Sequence, residues 1–437
     1  MSYLDTQVLA QIQNLRQQIA SLLLYQSVLK KPVGEAFIKL LESLSKKDMI
    51  AIEWLQAYGN WFRTIASQNI SWREYLIYQI IQDDNPFSQQ VQKINIANLS
   101  PNLIAAAKHD LQILQNLYQC SSKTISQWVK TIAKLDKDPI AWELQSEIKE
   151  PIYQKLRNLE NWSDSIEILA THYRHFGIGL FAESIAFEWR NGQLLSITHP
   201  DSVKLKELVG YEFQRDTLIK NTEFLLGGYP ALNVLLYGSR GSGKSSLVKA
   251  LLNEYSQRNL RLVEVAKSDL KDLPLIVEKL RNIPQKFIIF VDDLSFEEDD
   301  DTFKALKVVL EGNLTPRPGN VVVYATSNRR HLIREFFDDR PSPKDSDEVH
   351  NWDTVQEKLS FSDRFGLTLT FEPANQDTYL TIVRHLAQQE NINLNLNPED
   401  LDYQALQWAT RNNGRSGRTA RQFINFIKAN LAVFEKC

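Results

Sequence analysis

Asn233–Tyr255, NVLLYGSRGSGKSSLVKALLNEY, is the stretch that decides how this chain is read. An apolar run, Val234–Tyr237, meets a glycine-rich loop, and the loop opens into an amphipathic segment whose Leu247, Val248, Leu251 and Leu252 share one face. Gly238, Gly243, Lys244 and Ser245 satisfy the spacing G-x-x-x-x-G-K-S/T of a phosphate-binding loop. Glycines give the backbone conformations closed to other residues, so successive N–H groups can converge on phosphate oxygens. A helix starting near Lys244 aims its unpaired N–H groups and positive dipole end at the same anion. The expected nucleotide contacts are therefore Gly238, Ser239, Arg240, Gly241, Ser242, Gly243, Lys244, Ser245 and Ser246. Lys244 would reach the β- and γ-phosphates, and the Ser245 hydroxyl would ligate Mg²⁺. An ordinary glycine turn would not need both the strand before it and the helix after it.

The chain has 437 residues, more than one compact core usually organises, so two or three domains are expected. Its 43% hydrophobic and 24% charged residues are those of a globular protein. A net charge of −3 leaves no global basic field of the kind that marks dedicated nucleic-acid binders. Two cysteines, Cys120 and Cys437, exclude a disulfide framework and suit a reducing compartment. The start, MSYLDTQ, lacks a signal peptide's basic and apolar regions, and no apolar run is long enough to span a bilayer. The expectation is a cytoplasmic protein without membrane insertion.

The first half reads as mostly helical. Val8, Ile12, Leu15, Ile19 and Leu22 recur with helical steps until Lys30-Lys31-Pro32, and further helical segments are expected at Gly34–Leu44, Asp48–Ser67, Trp72–Gln82, Leu103–Leu117, Thr124–Lys134 and Tyr153–Asn158. Its tryptophans, including Trp54 and Trp61 on one helix face, are read as core or interface fillers rather than a binding platform. His172 and His175 lack partners at metal-ligand spacing and are read as structural or surface residues. Ser184–Thr198 changes character: two β-type runs flank Asn191-Gly192, the signal of a type I′ hairpin. The expected organisation is a helical domain over 1–183, a hairpin connector over 184–206, a nucleotide-binding core over 207–372 and a helical lid over 373–437.

Within the core, Arg261–Ala266 alternates like a strand and Phe287–Val291 is a continuous apolar strand ending in Asp292-Asp293. A buried strand that delivers a carboxylate at its C-terminal end opposite a phosphate loop is the Walker B arrangement, so Asp292 is expected to hold Mg²⁺. Another buried strand, Val321–Thr326, closes on Ser327-Asn328, and a last one spans Leu367–Phe371. Pro373 leads into expected lid helices at Asn375–Glu390, Leu401–Thr410 and Thr419–Leu431. The fold class expected is α/β: a P-loop core of parallel strands between helices, with a small helical lid and a helical N-terminal domain.

The segment Leu208-Val209-Gly210-Tyr211-Glu212 before the phosphate loop resembles the adenine-pocket segment of the AAA+ ATPases. That resemblance implies ATP as the ligand, with backbone around Val209 and Gly210 contacting the base. It also implies roles for single residues. Asp293 stands where the family usually has the glutamate that polarises the attacking water, one methylene shorter; Glu297 and Glu298 lie just beyond as weaker substitutes. Asn328 matches the sensor 1 position, which orients that water. Ser362-Asp363-Arg364-Phe365 resembles the segment that presents an arginine finger, so Arg364 would reach the γ-phosphate of a neighbouring subunit; an in-chain ion pair is the alternative. Arg421 matches sensor 2, with Arg418 in reserve. Taken together, LLYGSRGSGKSSLVKALLNEY, DDLSFEE, VVYATSNRRHLI and the segment around Arg364 resemble the bacterial AAA+ group known as domain of unknown function 815.

The resemblance implies an ATP-binding, Mg²⁺-dependent ATPase that self-associates into a hexamer or similar ring. Lys267–Pro274 lacks the aromatic-hydrophobic-glycine pore loop of protein-unfolding relatives, which argues against threading. No helix-turn-helix or zinc module is present, so nucleic acid rests on Arg329-Arg330-His331 and the lid arginines alone. The expected function is an oligomeric ATPase that remodels a protein or protein–nucleic-acid assembly, recruiting an unknown protein partner through its N-terminal domain. The alternative is a slow-hydrolysing, nucleotide-gated switch or scaffold, which the short Asp293 keeps open. The loop Phe337–Asp353, with lone His350, is read as an insertion without a motif.

Overall fold

The computed structural model describes residues 3–434 apart from 47, 49, 145–149, 297–301, 312–316, 330–331, 333–360, 391, 393–397 and 413. Glu297, Glu298, Arg330, His331, Phe337–Asp353 and Cys437 therefore lie outside the described residues. The chain divides into two compact units, Met1–Glu183 and Ser184–Cys437.

The first unit is helical throughout: α1 (Tyr3–Ala20), α2 (Pro32–Ser45), α3 (Ala51–Ser67), α4 (Trp72–Gln82), α5 (Pro86–Val91), α6 (Pro101–Gln119), α7 (Ser122–Ala133), α8 (Pro151–Asn158), α9 (Ile166–Phe176) and α10 (Leu180–Glu183). Sequence patterning missed α5, α9 and the short α10. Asn85 Oδ1 caps α5 by accepting from the Phe87 and Ser88 N–H groups at 2.8 and 3.0 Å, so the Asp84-Asn85-Pro86 punctuation starts a helix instead of only ending one. The aromatics fill the core. Trp61 and Trp72 are fully buried, and Trp72 stacks on Tyr75 with ring centroids 5.6 Å apart. Trp54 is partly buried and donates from its indole to the Ser43 carbonyl at 3.0 Å. Buried Asp110 accepts the backbone N–H groups of Leu23, Leu24 and Tyr25 at 3.0, 2.6 and 2.9 Å, satisfying the donors of a turn that runs from the surface into the core at Tyr25.

The second unit is built on one sheet of seven strands in the order β2-β1-β4-β5-β6-β3-β7: β1 (Ala186–Arg190), β2 (Gln193–Ser196), β3 (Val234–Gly238), β4 (Leu260–Val265), β5 (Lys286–Val291), β6 (Val321–Ser327) and β7 (Leu367–Phe371). All neighbours run parallel except β2, which is antiparallel to β1. The hairpin turns at Asn191 (φ 52°) and Gly192 (φ 77°), the left-handed pair that a type I′ turn requires. Its strands extend the sheet, since Phe187 pairs in register with Val263.

Helices α11 (Glu212–Leu226), α12 (Lys244–Tyr255), α13 (Leu273–Leu280) and α14 (Thr302–Glu311) accompany the strands. Three further helices, α15 (Gln376–Gln389), α16 (Pro398–Arg411) and α17 (Gly417–Phe434), form the lid around Tyr379, Val383, Ala405 and Ile424. The middle strands read as continuous apolar runs because both faces are covered. β5 and β6 are buried at every position but Lys286. β6 separates the strand of the phosphate loop, β3, from β5, so the C-terminal ends of all three open onto one edge. Among the described residues, no helix is long and apolar enough to cross a membrane.

Candidate nucleotide-binding cleft

At that edge lies a cleft of about 880 Å³, walled by the β3–α12 loop, the ends of β5 and β6, the segment 201–211, and the lid helices α15 and α17. The loop's glycines are needed where they stand. Gly238 (φ 130°) lies so close to β7 that a Cβ there would sit 2.0 Å from the Phe371 carbonyl oxygen. Gly241 (φ 74°) and Gly243 (φ 92°) adopt left-handed conformations that carry the chain into α12.

Lys244, only 6% exposed, folds back along the loop and donates to the carbonyls of Gly238 at 3.0 Å and Ser239 at 2.7 Å, with Asn328 Oδ1 at 3.5 Å. Burial lowers its pKa, opposed by the nearby charges of Asp292 and Asp293. The Ser245 hydroxyl donates to Asp292 Oδ1 at 2.6 Å. Asp293 follows at φ 50°, a left-handed conformation unusual outside glycine but tolerated by Asp. The Asn328 amide donates to Asp293 Oδ1 at 2.6 Å. Lys244, Ser245, Asp292, Asp293 and Asn328, read separately from the sequence, are thus linked directly or through one another.

Arg240, Gly241, Ser242, Gly243, Ser246 and Val209 also line the cleft. Gly238 and Ser239 line a second hollow of about 580 Å³ beside it. Gly210, at φ 90°, packs so closely on α15 that an added Cβ would come within 2.8 Å of Thr378. The lid closes on the loop through Arg418, whose backbone N–H donates to the Gly241 carbonyl at 3.2 Å. Both lid arginines line the cleft. Arg421 is held by Glu207 at 3.1 Å and Glu390 at 3.7 Å, while the side chain of Arg418 has no ionic partner among the described residues. Arg364 is not brought to this cleft. Its guanidinium pairs with Glu311 of α14, the in-chain contact weighed against the finger reading.

Sequence reasoning missed Thr326 and Glu207. Thr326 reads as one more residue of a β-rich run, and Glu207 as an exposed charge before a helix. Only the pairing of strands and the docking of the lid bring them to the cleft. Segment 267–274 forms a short 3₁₀ turn, Lys267–Asp272, and the start of α13, with Leu270 buried rather than displayed.

The model of a family described as protein of unknown function (DUF815) matches residues 182–431. No curated protein matches the chain. Among solved structures, the chain is similar to the RuvB Holliday junction branch migration motor of Thermotoga maritima at 15% identity and a TM-score of 0.36, covering 53% of this chain and 66% of that one. Two mutant forms of that motor give TM-scores of 0.37 and 0.38, each at 15% identity with 53% of this chain and 67% of theirs covered. The chain thus spans just under two thirds of the first motor's length.

Proposed function

The chain belongs to the DUF815 protein family, and from that premise and the chemistry of the cleft we propose that it binds ATP with Mg²⁺ and hydrolyses it. The active form would be an oligomer that uses the turnover to remodel a protein or protein–nucleic-acid assembly. One observation carries this reading: a buried lysine, a hydroxyl, two carboxylates and an amide converge where a glycine loop opens into a helix.

The residues fit the ligands. The Lys244 ammonium already sits between carbonyls of the loop, and phosphate oxygens would replace one set of oxygen partners with another. Ser245 and Asp292, their oxygens 2.6 Å apart, are hard donors of the kind Mg²⁺ takes, with the phosphates completing the set. Mg²⁺ supplies neutralisation of charge on the phosphate oxygens. Asp293 would accept the proton of the attacking water, and Asn328 would fix that water's orientation. Val209 and Gly210 would offer backbone to the base, and Arg418 or Arg421 would face the phosphates. Arg364, lying away from its own cleft, would be offered to that of a second copy. A partner to be remodelled would be recruited through residues 1–183.

The Asp293–Asn328 contact favours one second reading. A short carboxylate already engaged by an amide suits slow hydrolysis, and the protein would then act as a nucleotide-gated switch. ATP turnover measured beside ATP dissociation separates the two: a remodeller cycles faster than it loses ligand. Wild-type protein that fails to bind ATP at millimolar concentration, or a Lys244→Ala form that binds as well as wild type, overturns both.

A further inference from the structure

Thr326 engages three consecutive residues of another strand's end. Val291 of β5 and Ala325 of β6 are paired in register, which sets the next residues, Asp292 and Thr326, side by side. The Thr326 hydroxyl donates to Asp292 Oδ1 and accepts the Asp293 N–H at 2.9 Å, while its carbonyl accepts the Leu294 N–H at 2.7 Å. Thr326 is 2% exposed, so losing its hydroxyl would leave these partners with little access to water.

A hydroxyl has one proton to give and lone pairs to accept with. Thr326 spends the proton on Asp292 and a lone pair on Asp293, so it cannot rotate without losing both. Asp292 Oδ1 collects donors from Ser245 at 2.6 Å, from Thr326, and from the Asp293 N–H at 3.2 Å. That loading of Oδ1 orients the carboxylate. It also anchors the left-handed turn at Asp293, whose N–H would otherwise lack its best acceptor.

We infer that Thr326 is a positioning residue that sets the Asp292 carboxylate for a divalent cation; the inference rests on the reading of the cleft as a Mg²⁺–ATP site. Groups that hydrogen-bond a metal-holding carboxylate fix its direction and basicity, and their loss typically weakens metal binding roughly 10- to 100-fold. Among the described residues the Thr326 hydroxyl hydrogen-bonds only to the end of β5, not to the glycine loop or Lys244, so nucleotide affinity without metal is expected to be largely independent of it.

The test is equilibrium binding of a fluorescent ATP analogue, first in EDTA and then along a magnesium titration, for wild type, Thr326→Val, Thr326→Ser and Thr326→Cys. For Thr326→Val the expected result is an EDTA affinity within about twofold of wild type and a magnesium midpoint shifted by roughly 10- to 100-fold. Serine restores the wild-type midpoint, and cysteine, which keeps only a weaker donor at the γ position, shifts it part of the way, a result that can be read even if valine is not tolerated. A wild-type midpoint in Thr326→Val or Thr326→Cys overturns the role, and so does an equal loss of affinity with and without magnesium. Wild-type protein that binds no nucleotide in either condition overturns the reading of the cleft itself, and the role of Thr326 with it.

Discussion

The Asn328 side-chain amide donates to the Asp293 carboxylate across 2.6 Å, joining the end of β6 to the residue that follows Asp292. An amide donor there fixes where the carboxylate points. If Asp293 takes a proton from water during hydrolysis, Asp293→Asn should lower the ATP turnover number by roughly 10²- to 10⁴-fold while leaving ATP affinity within a few-fold of wild type. Asn328→Ala should lose turnover in the same direction and also keep binding. Single-turnover hydrolysis with radiolabelled ATP reads both, and unchanged rates in Asp293→Asn would remove it from the chemistry.

Lys244 is buried and already bonded to two loop carbonyls, so its removal is expected to separate folding from ligand binding. Wild-type protein with Mg²⁺–ATP at a hundred times its Kd should gain about 2.7 kcal/mol of stability by mass action. Lys244→Ala should gain none under the same conditions while retaining wild-type circular dichroism. The thermal midpoint with and without nucleotide gives the answer.

Arg364 points to a different kind of experiment, because its guanidinium pairs with Glu311 and lies off its own chain's cleft. As a residue acting on a neighbouring copy, Arg364→Ala should bind ATP normally and fail to turn it over. Mixed in equal amounts with inactive Lys244→Ala, it should recover part of the wild-type rate, since the second variant supplies the missing arginine and the first an intact cleft. Full turnover in Arg364→Ala alone at saturating ATP would leave only the in-chain ion pair. Mass measurement with and without ATP shows whether the copies associate at all.

In the helical unit, burial raises the Asp83 pKa to about 6, against hydrogen bonds from Ser27 and Asn85 that favour its charged form. The folded-state value lies above that of the unfolded chain, so the folded protein holds the proton more tightly. The contribution to stability is therefore present below about pH 4 and is lost as pH rises towards 6. His172 runs the other way: burial first, then its neighbour His175, lowers it to about 4, and stability falls as pH drops from its ordinary range towards that value. The two overlap in the wild-type curve. Asp83→Asn isolates the first, and the difference in urea-unfolding free energy between it and wild type should change between pH 4 and 6 by an amount on the order of a few kcal/mol. A flat difference would mean that Asp83 does not titrate in that window.

Much of this arrangement was legible because its signals are local. The phosphate loop declares itself within one strand–turn–helix unit, and Asp292 and Asn328 each end an apolar run recognisable as a buried strand. Type I′ geometry at Asn191-Gly192 follows from the two residues themselves. What was not legible depends on partners distant in sequence. That the hairpin extends the sheet follows from pairing with β4, and nothing in Ser184–Thr198 alone requires it. Thr326 acquires its role only because β6 lies beside β5. Helix α9 carries Ile166, Leu169, Ala170 and Tyr173 on its buried face, but its two histidines and the preceding Asn161-Trp162-Ser163-Asp164 turn obscured the period.

The lid arginines pose the last question, since Arg421 and Arg418 both line the cleft but, among the described residues, only Arg421 is engaged by carboxylates. Glu207 binds Arg421 from the segment that also forms the cleft wall, and Lys206 beside it offers its carbonyl to Gln389 of α15 at 3.0 Å. A phosphate approaching Arg421 must compete with Glu207 for the same guanidinium. If Arg421 is the arginine that meets the nucleotide, Glu207→Gln should therefore tighten ATP binding, by up to about fivefold for a partly exposed pair worth about 1 kcal/mol or less. Arg421→Ala should weaken ATP binding, and the double variant should match Arg421→Ala because the competition has nothing left to act on. If Arg418 is instead the contact, Arg418→Ala carries the loss and Glu207→Gln leaves affinity unchanged. A weakening in Glu207→Gln would show that the carboxylate braces the cleft wall against the lid. Titration of the single and double variants with ATP distinguishes these outcomes by sign as well as by size.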